Sequence, residues 1–137
     1  MAALLDVSFI VAAADVSDMN HDAARSWLRR VDDPLLVGAM SLAEADLVLH
    51  QAMGQSATLA LLDSIGRGQL RVVSPTDDDL ARAGELLRER AEHRPRLTDA
   101  VLVATAERLG VSRIATFDRR PIAVLRGPAH RGAALEP

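Results

Sequence analysis

The chain contains no cysteine, no tyrosine and no lysine. Without cysteine there can be no disulfide and no thiolate metal site, which fits a reducing cytoplasm. Without lysine, all 16 basic side chains are arginine; a GC-rich coding sequence would explain both this and the abundance of alanine. Aromatic residues are confined to Phe9, Trp27 and Phe117, so the core has to be built from Leu, Val, Ile and Ala. No apolar run approaches the ~18 residues of a membrane-crossing helix. Residues 9–14 followed by Asp15 resemble the apolar segment of a short leader, but no basic residue precedes them and Asp6 interrupts the run, so no cleaved leader is expected. These absences together point to a soluble cytoplasmic protein with no membrane partner.

What is present suffices for one domain. The chain has 137 residues, of which 49% are hydrophobic, and at this length roughly two-thirds of the unfolded surface can be buried. Charge is unevenly spread. Residues 1–93 hold 8 Arg and 15 acids, a net of −7, and residues 94–137 hold 8 Arg and 4 acids, a net of +4, which together give −3. A basic C-terminal third either contacts phosphates through guanidinium groups or is a solvated surface.

The apolar pattern alternates between strand-like and helix-like segments, without an internal repeat. Strands are expected at residues 3–7, 35–40, 70–73 and 112–117, with a short fifth at 122–125. Helices are expected after the first strand through Ala14, at residues 21–31, 41–53 and 56–65, from Thr76 through Ala91, and at 98–109, where Gly110 is placed to end the helix in a left-handed conformation. The Gly-, Ala- and Pro-rich residues 127–137 read as a loosely ordered tail behind a domain of residues 1–126. Parallel strands need crossover helices, so this alternation predicts an α/β sandwich with a mainly parallel sheet of four to five strands. Ligands in such folds bind beyond the carboxyl ends of the strands, at a topological switch point.

Four carboxylates stand at the edges of these apolar elements: Asp6, Glu44, Asp99 and Asp118. An ionised carboxylate is rarely buried unless it is paired or bound to a metal. Each has an alternative role when taken alone. Ser41-Leu42-Ala43-Glu44 matches a capping box. Asp99 suits the first turn of a helix, although Leu102 and Val103 place it along the buried face. Asp118 reads equally as a turn residue. Asp6 is the hardest to explain structurally, because Ser8 is available to cap the helix that follows. Four acids converging on one end of a parallel sheet suggest one acidic pocket, and such a pocket suggests a divalent cation.

Other chemistry is poorly supported. His21, His50, His93 and His130 are scattered without metal-binding spacing. There is no G-x-S-x-G turn, no P-loop and no dinucleotide-binding glycine pattern. Ser8 and Thr116 lie beside the acids, where a hydroxyl can orient water or phosphate. Asp77, Asp78 and Asp79 read as the acidic first turn of the helix capped by Thr76.

Taken in order, Leu5-Asp6-Val7-Ser8, Ser41-Leu42-Ala43-Glu44, Leu97-Thr98-Asp99-Ala100 and Ala115-Thr116-Phe117-Asp118-Arg119-Arg120 resemble the PIN-domain ribonucleases, and within them the VapC-type toxins of toxin–antitoxin pairs. The resemblance runs from Leu4 to about Leu125. It implies a Rossmann-like α/β/α sandwich and endonucleolytic cleavage of RNA with Mg²⁺ or Mn²⁺. It places Asp6, Glu44, Asp99 and Asp118 at the catalytic centre, with Asp6, Asp99 and Asp118 as metal ligands. Ser8, Thr116 and Arg119 take auxiliary or substrate-binding positions, with Arg120 beside them. The segment Arg94-Pro95-Arg96 departs from the family pattern just before Leu97. The resemblance also implies a homodimer and a cognate antitoxin. Some of Phe9, Val11, Trp27, Leu28, Leu42 and Leu49 are expected to form an apolar groove for an antitoxin helix.

Two rival classes differ in testable ways. Phosphoryl transfer to an aspartate, as in receiver domains or haloacid-dehalogenase-like phosphatases, needs a lysine near the phosphate, and the phosphatases also begin with D-x-D where this chain has Asp6-Val7-Ser8. A catalytically idle RNA- or protein-binding module would keep the pocket without the reaction, although an unused cluster of like charges only costs stability.

Overall fold

Each apolar strand residue faces the layer opposite to that of its neighbour. In the computed structural model, which describes residues 2–126 and 134–137, strand β1 (Ala3–Leu5) sends Leu4 into one core and Ala3 and Leu5 into the other. In β2 (Leu35–Gly38), Leu36 and Val37 divide in the same way, as do Ile114 and Ala115 in β4 (Arg113–Ala115). This period of two is the geometry of a pleated strand covered on both faces. With β3 (Arg71–Val73) and β5 (Ala134–Glu136), the described residues form a five-stranded, wholly parallel sheet in the order β3-β2-β1-β4-β5.

Helices cover both faces. On one side lie α1 (Val7–Ala14), α2 (His21–Arg30), α3 (Ala39–Met53) and α4 (Gln55–Gly66), enclosing Phe9, Trp27 and Leu49. On the other lie α5 (Asp77–Glu89), α6 (Leu97–Leu109) and α7 (Arg119–Arg126), enclosing Leu86, Val101, Ile122 and Leu125. The expected α/β/α sandwich is therefore present, and its core is aliphatic apart from one aromatic group. Phe9 meets Trp27 edge-on at 5.0 Å between centroids and stacks on Phe117 at 5.7 Å. None of the helices among the described residues is long and apolar enough to cross a membrane.

Local signals placed most helix ends correctly. Thr76 caps α5 in a capping box with Asp79. Asp79 does more than charge the first turn: it is 2% exposed and accepts from Arg108 Nε at 2.9 and 3.0 Å. Burial alone would raise its pKa, but the bonds from Arg108 and Thr76 outweigh burial and hold it low. Gly110 ends α6 at φ 61°, ψ 34°, a left-handed conformation that costs glycine nothing sterically.

The two C-terminal expectations need correction. Residues 122–125 belong to helix α7, not to a strand. Ile122 and Leu125 are three residues apart and both buried, so they form a helical stripe. Pro121 sits in the first turn, where a backbone N–H would have no partner in any case. Of the residues read as a loose tail, 127–133 lie outside the described residues, but Ala134–Glu136 form β5, paired in register with β4. Without β5, the β4 edge would expose unpaired backbone groups. Thr116 N donates to the Glu136 carbonyl at 2.7 Å, and the Trp27 indole donates to Glu136 Oε2 at 2.7 Å. Trp27→Phe keeps one aromatic six-membered ring in the core but removes the rest of the indole along with this donor to a charged acceptor. It is expected to cost about 1–2 kcal/mol in urea unfolding, and no measurable loss would mean that β5 is not clasped through Trp27.

Candidate active site

The chain runs outward through β1, β2 and β3, then crosses back to lay β4 on the free side of β1. The switch point thus lies between β1 and β4, where connections diverge and leave a crevice beyond the carboxyl ends. Asp6 follows the last residue of β1, and its N–H donates to the Ala115 carbonyl at 2.9 Å. Thr116 and Asp118 follow the last residue of β4. The crevice is a cleft of about 770 Å³, lined by Asp6, Glu44, Asp99 and Asp118 together with Ser8 and Phe117.

Asp6 occupies the N-cap position of α1, but its side chain makes no capping bond. It is 4% exposed. Its Oδ2 accepts from Ser8 Oγ at 2.9 Å and from Thr116 Oγ1 at 2.7 Å. Ser8 Oγ in turn accepts the Phe117 N–H at 3.0 Å, and Thr116 Oγ1 accepts the Asp118 N–H at 3.0 Å. Each hydroxyl has one proton, so with both committed to Asp6 the 3.2 Å approach of the two hydroxyls carries none. Oδ1 of Asp6 has no hydrogen-bond donor among the described residues and remains available as a ligand. The backbone of the β4–α7 turn thereby orients two hydroxyls, and these orient one carboxylate.

Glu44 is not a capping residue. Helix α3 begins at Ala39 with Gly38 as its N-cap, so Ser41 and Glu44 lie inside the helix. Glu44 pairs instead with Arg96, the N-cap residue of α6. Asp99 stands in the first turn of α6 and is partly buried. Burial raises its pKa from the ordinary 3.8 to about 6; the charges of Asp6, Asp118 and Glu44 add to the rise and Arg96 opposes it. Asp118 is exposed at the rim.

All four predicted acids and Ser8 therefore line one cleft, and Thr116, buried behind it, reaches the site through its bond to Asp6. Arg119 does not: it is exposed, bonds to the Pro137 carbonyl and is absent from the cleft lining, whereas Arg120 lines it. Sequence reasoning missed Asp18, Asn20, Glu92 and His93, which also line the cleft. They lie in connecting segments without periodicity or motif, and His93 has no histidine near it in sequence. Some of the residues anticipated for the apolar groove do line one, beside others that were not anticipated. A cavity of about 580 Å³ is lined by Phe9, Ile10, Leu28, Ala57, Leu61 and Leu70 among others. Of the anticipated residues only Phe9 and Leu28 line it; Trp27 and Leu49 are core, and Val11 lines the acidic cleft.

The donor set suits a hard divalent cation. The cleft offers carboxylate and hydroxyl oxygens, and Mg²⁺ commonly uses one or two carboxylates while keeping several waters. Among the described residues no three acidic or histidine side chains already stand close enough together to hold a metal ion. The chain thus presents carboxylates around the cleft without gathering them into a closed cage.

A parallel α/β sandwich with acids converging on its switch point is the architecture of a PIN domain. The model of the PIN domain family matches residues 3–127, and the chain belongs to that family. It is 26% identical over 123 residues to Ribonuclease VapC26 of Mycobacterium tuberculosis, covering 90% of this chain and 91% of that one. Its fold superposes on Mycobacterium tuberculosis VapC20, a sarcin–ricin loop cleaving toxin, with a TM-score of 0.78 at 24% identity, covering 85% and 90% of the two chains. It also superposes on FitAcB from Neisseria gonorrhoeae with a TM-score of 0.71 at 15% identity, covering 98% and 96%.

Proposed function

We propose that this chain is a metal-dependent endoribonuclease and the toxin of a cytoplasmic toxin–antitoxin pair. The observation that carries this reading is the meeting of Asp6, Glu44, Asp99 and Asp118 in one cleft at the β1/β4 switch point. Membership of the PIN family and similarity to VapC26 support it.

Asp6, Asp99 and Asp118 would hold Mg²⁺ or Mn²⁺. When bound, such an ion lowers the pKa of a water and offsets charge on the phosphoryl transition state. The chain's own contribution is placement. Asp6 is locked by Ser8 and Thr116 with one oxygen committed and the other available. Asp99, whose charge is disfavoured by burial, gains most from a nearby cation. Glu44 acts at the edge of the site through a water. Arg120 at the rim meets substrate phosphate, and Arg119 serves the same role farther out. Phe117 is the aromatic residue of the cleft lining, and Phe9 already covers one of its faces. Base stacking therefore contributes little, and selectivity rests on RNA shape and on how single-stranded loops enter.

The antitoxin would lay an amphipathic helix in the apolar cavity between α1, α2 and α4. Leu47, Leu59 and Leu62, exposed on α3 and α4 and outside both the cleft and the cavity, offer apolar surface for a second copy in a homodimer. Expression of the chain alone is expected to arrest growth, and co-expression with the adjacent small reading frame to relieve it. The arrest should disappear in Asp6→Asn. Undiminished arrest with Asp6→Asn would detach toxicity from the acids and favour a binding module.

A further inference from the structure

The segment that departs from the family pattern, Arg94-Pro95-Arg96, forms one wall of the cleft. Arg94 ends a short 3₁₀ turn (Ala91–His93) at φ 49°, ψ 51°, a left-handed conformation that residues bearing a Cβ avoid. Pro95 restricts the next φ, and Arg96 follows as the N-cap residue of α6 at φ −90°, ψ 154°. Two constrained residues in succession thus hold a third at the cleft. The Arg96 side chain remains 69% exposed, yet its guanidinium meets Glu44, whose side chain is only 20% exposed. The attraction extends past Glu44 to Asp99 and Asp6. Among the described residues, this is the ion pair that any of the four acids makes with a basic side chain.

We propose that Arg96 is a built-in counter-cation that competes with the divalent metal for the acidic cleft. In the metal-free protein it neutralises part of a four-carboxylate cluster and holds Glu44 against the loop. A metal ion held by Asp6, Asp99 and Asp118 brings a second positive charge to the same cleft, and its approach to Glu44 through a water competes with the guanidinium already paired there. The loop that presents Arg96 is constrained, but the side chain is long and mostly solvated, so release needs only rotamer changes. This inference rests on the nuclease reading of the site and adds to it a tuning of metal affinity by the chain itself. Arg94 lines the same cleft on the same loop and, among the described residues, makes no ion pair with any of the four acids, so it provides an internal control for charge alone.

The test is calorimetric titration of Mn²⁺ into metal-free protein at pH 7.5, for the wild type, Arg96→Gln and Arg94→Gln. Losing a competing exposed ion pair should lower the Mn²⁺ dissociation constant of Arg96→Gln by about fivefold, whereas Arg94→Gln should change it by less than about twofold. Unchanged or weaker Mn²⁺ binding by Arg96→Gln, beside a wild type that binds Mn²⁺ and cleaves RNA, overturns the inference and leaves the nuclease reading intact. An equal gain in both variants also overturns it, because general charge would then account for the effect. If all three proteins take up no Mn²⁺, the metal-dependent reading fails and the inference fails with it.

Discussion

Asp6→Asn and Asp99→Asn are each expected to reduce RNA cleavage by about 10²–10⁴-fold. Carboxylate-to-amide exchange keeps side-chain shape but removes the charge that holds the cation, and each factor of ten corresponds to about 1.4 kcal/mol of transition-state stabilisation. Asp6 is the more constrained of the two, because Ser8 and Thr116 both donate to its Oδ2. An amide oxygen can accept the same two bonds, so the fold is expected to survive the change. Cleavage of a labelled RNA with Mn²⁺, alongside far-ultraviolet circular dichroism and gel filtration, separates lost chemistry from lost structure. Two folded variants that cut RNA at the wild-type rate would remove the acidic cleft from the mechanism.

Mn²⁺ is expected to raise the melting temperature by several degrees at pH 7.5 and by much less at pH 5. Asp99 carries the sign of this effect. Its pKa is about 6 in the folded protein against 3.8 ordinarily, so folding favours its protonated form. The resulting stability is fully present below about pH 4 and is lost as pH rises through 6. Each pKa unit is worth at most about 1.4 kcal/mol, and solvent screening of its exposed part reduces this, so ionised Asp99 costs the metal-free protein about 1–2 kcal/mol at neutral pH. A cation restores favourable surroundings to the ionised form, and binding only the folded state adds about 2.7 kcal/mol at a hundredfold excess over the dissociation constant. Asp99→Asn should be more stable than the wild type at pH 7.5 without metal, should lose that advantage near pH 4, and should show a smaller Mn²⁺ shift. Melting curves across pH 4.5–8 with and without millimolar Mn²⁺ read all three effects. A shift that is absent, or larger at acid pH, contradicts a metal site built on Asp99.

The order of elements as far as β4, the aliphatic character of most of the core and the four carboxylates were legible from local pattern. Alternation of apolar residues marks strands, a wider apolar stripe marks helices, and charged residues beside apolar runs stand out because burying them is costly. Thr76 and Gly110 could be recognised because helix capping involves only neighbouring residues. The capping-box match at Ser41 misled for the same reason: it identifies compatible residues but not where a helix begins, and tertiary packing started α3 at Ala39. The pairing of Ala134–Glu136 with β4 depended on an open sheet edge that appears only once β1 and β4 are assembled.

By itself, the sequence determined an α/β alternation with four acids beside apolar runs, because periodicity and the cost of burying charge act over a few residues. Tertiary structure alone decided that Asp6 is fixed by Ser8 and Thr116, that Arg96 answers Glu44 across 52 residues of chain, and that Arg120 rather than Arg119 lines the cleft. Those partners are brought together by the crossing from β3 back to β4 beside β1. Hydrogen bonds and ion pairs act over a few ångströms in space, a distance that sequence separation does not encode.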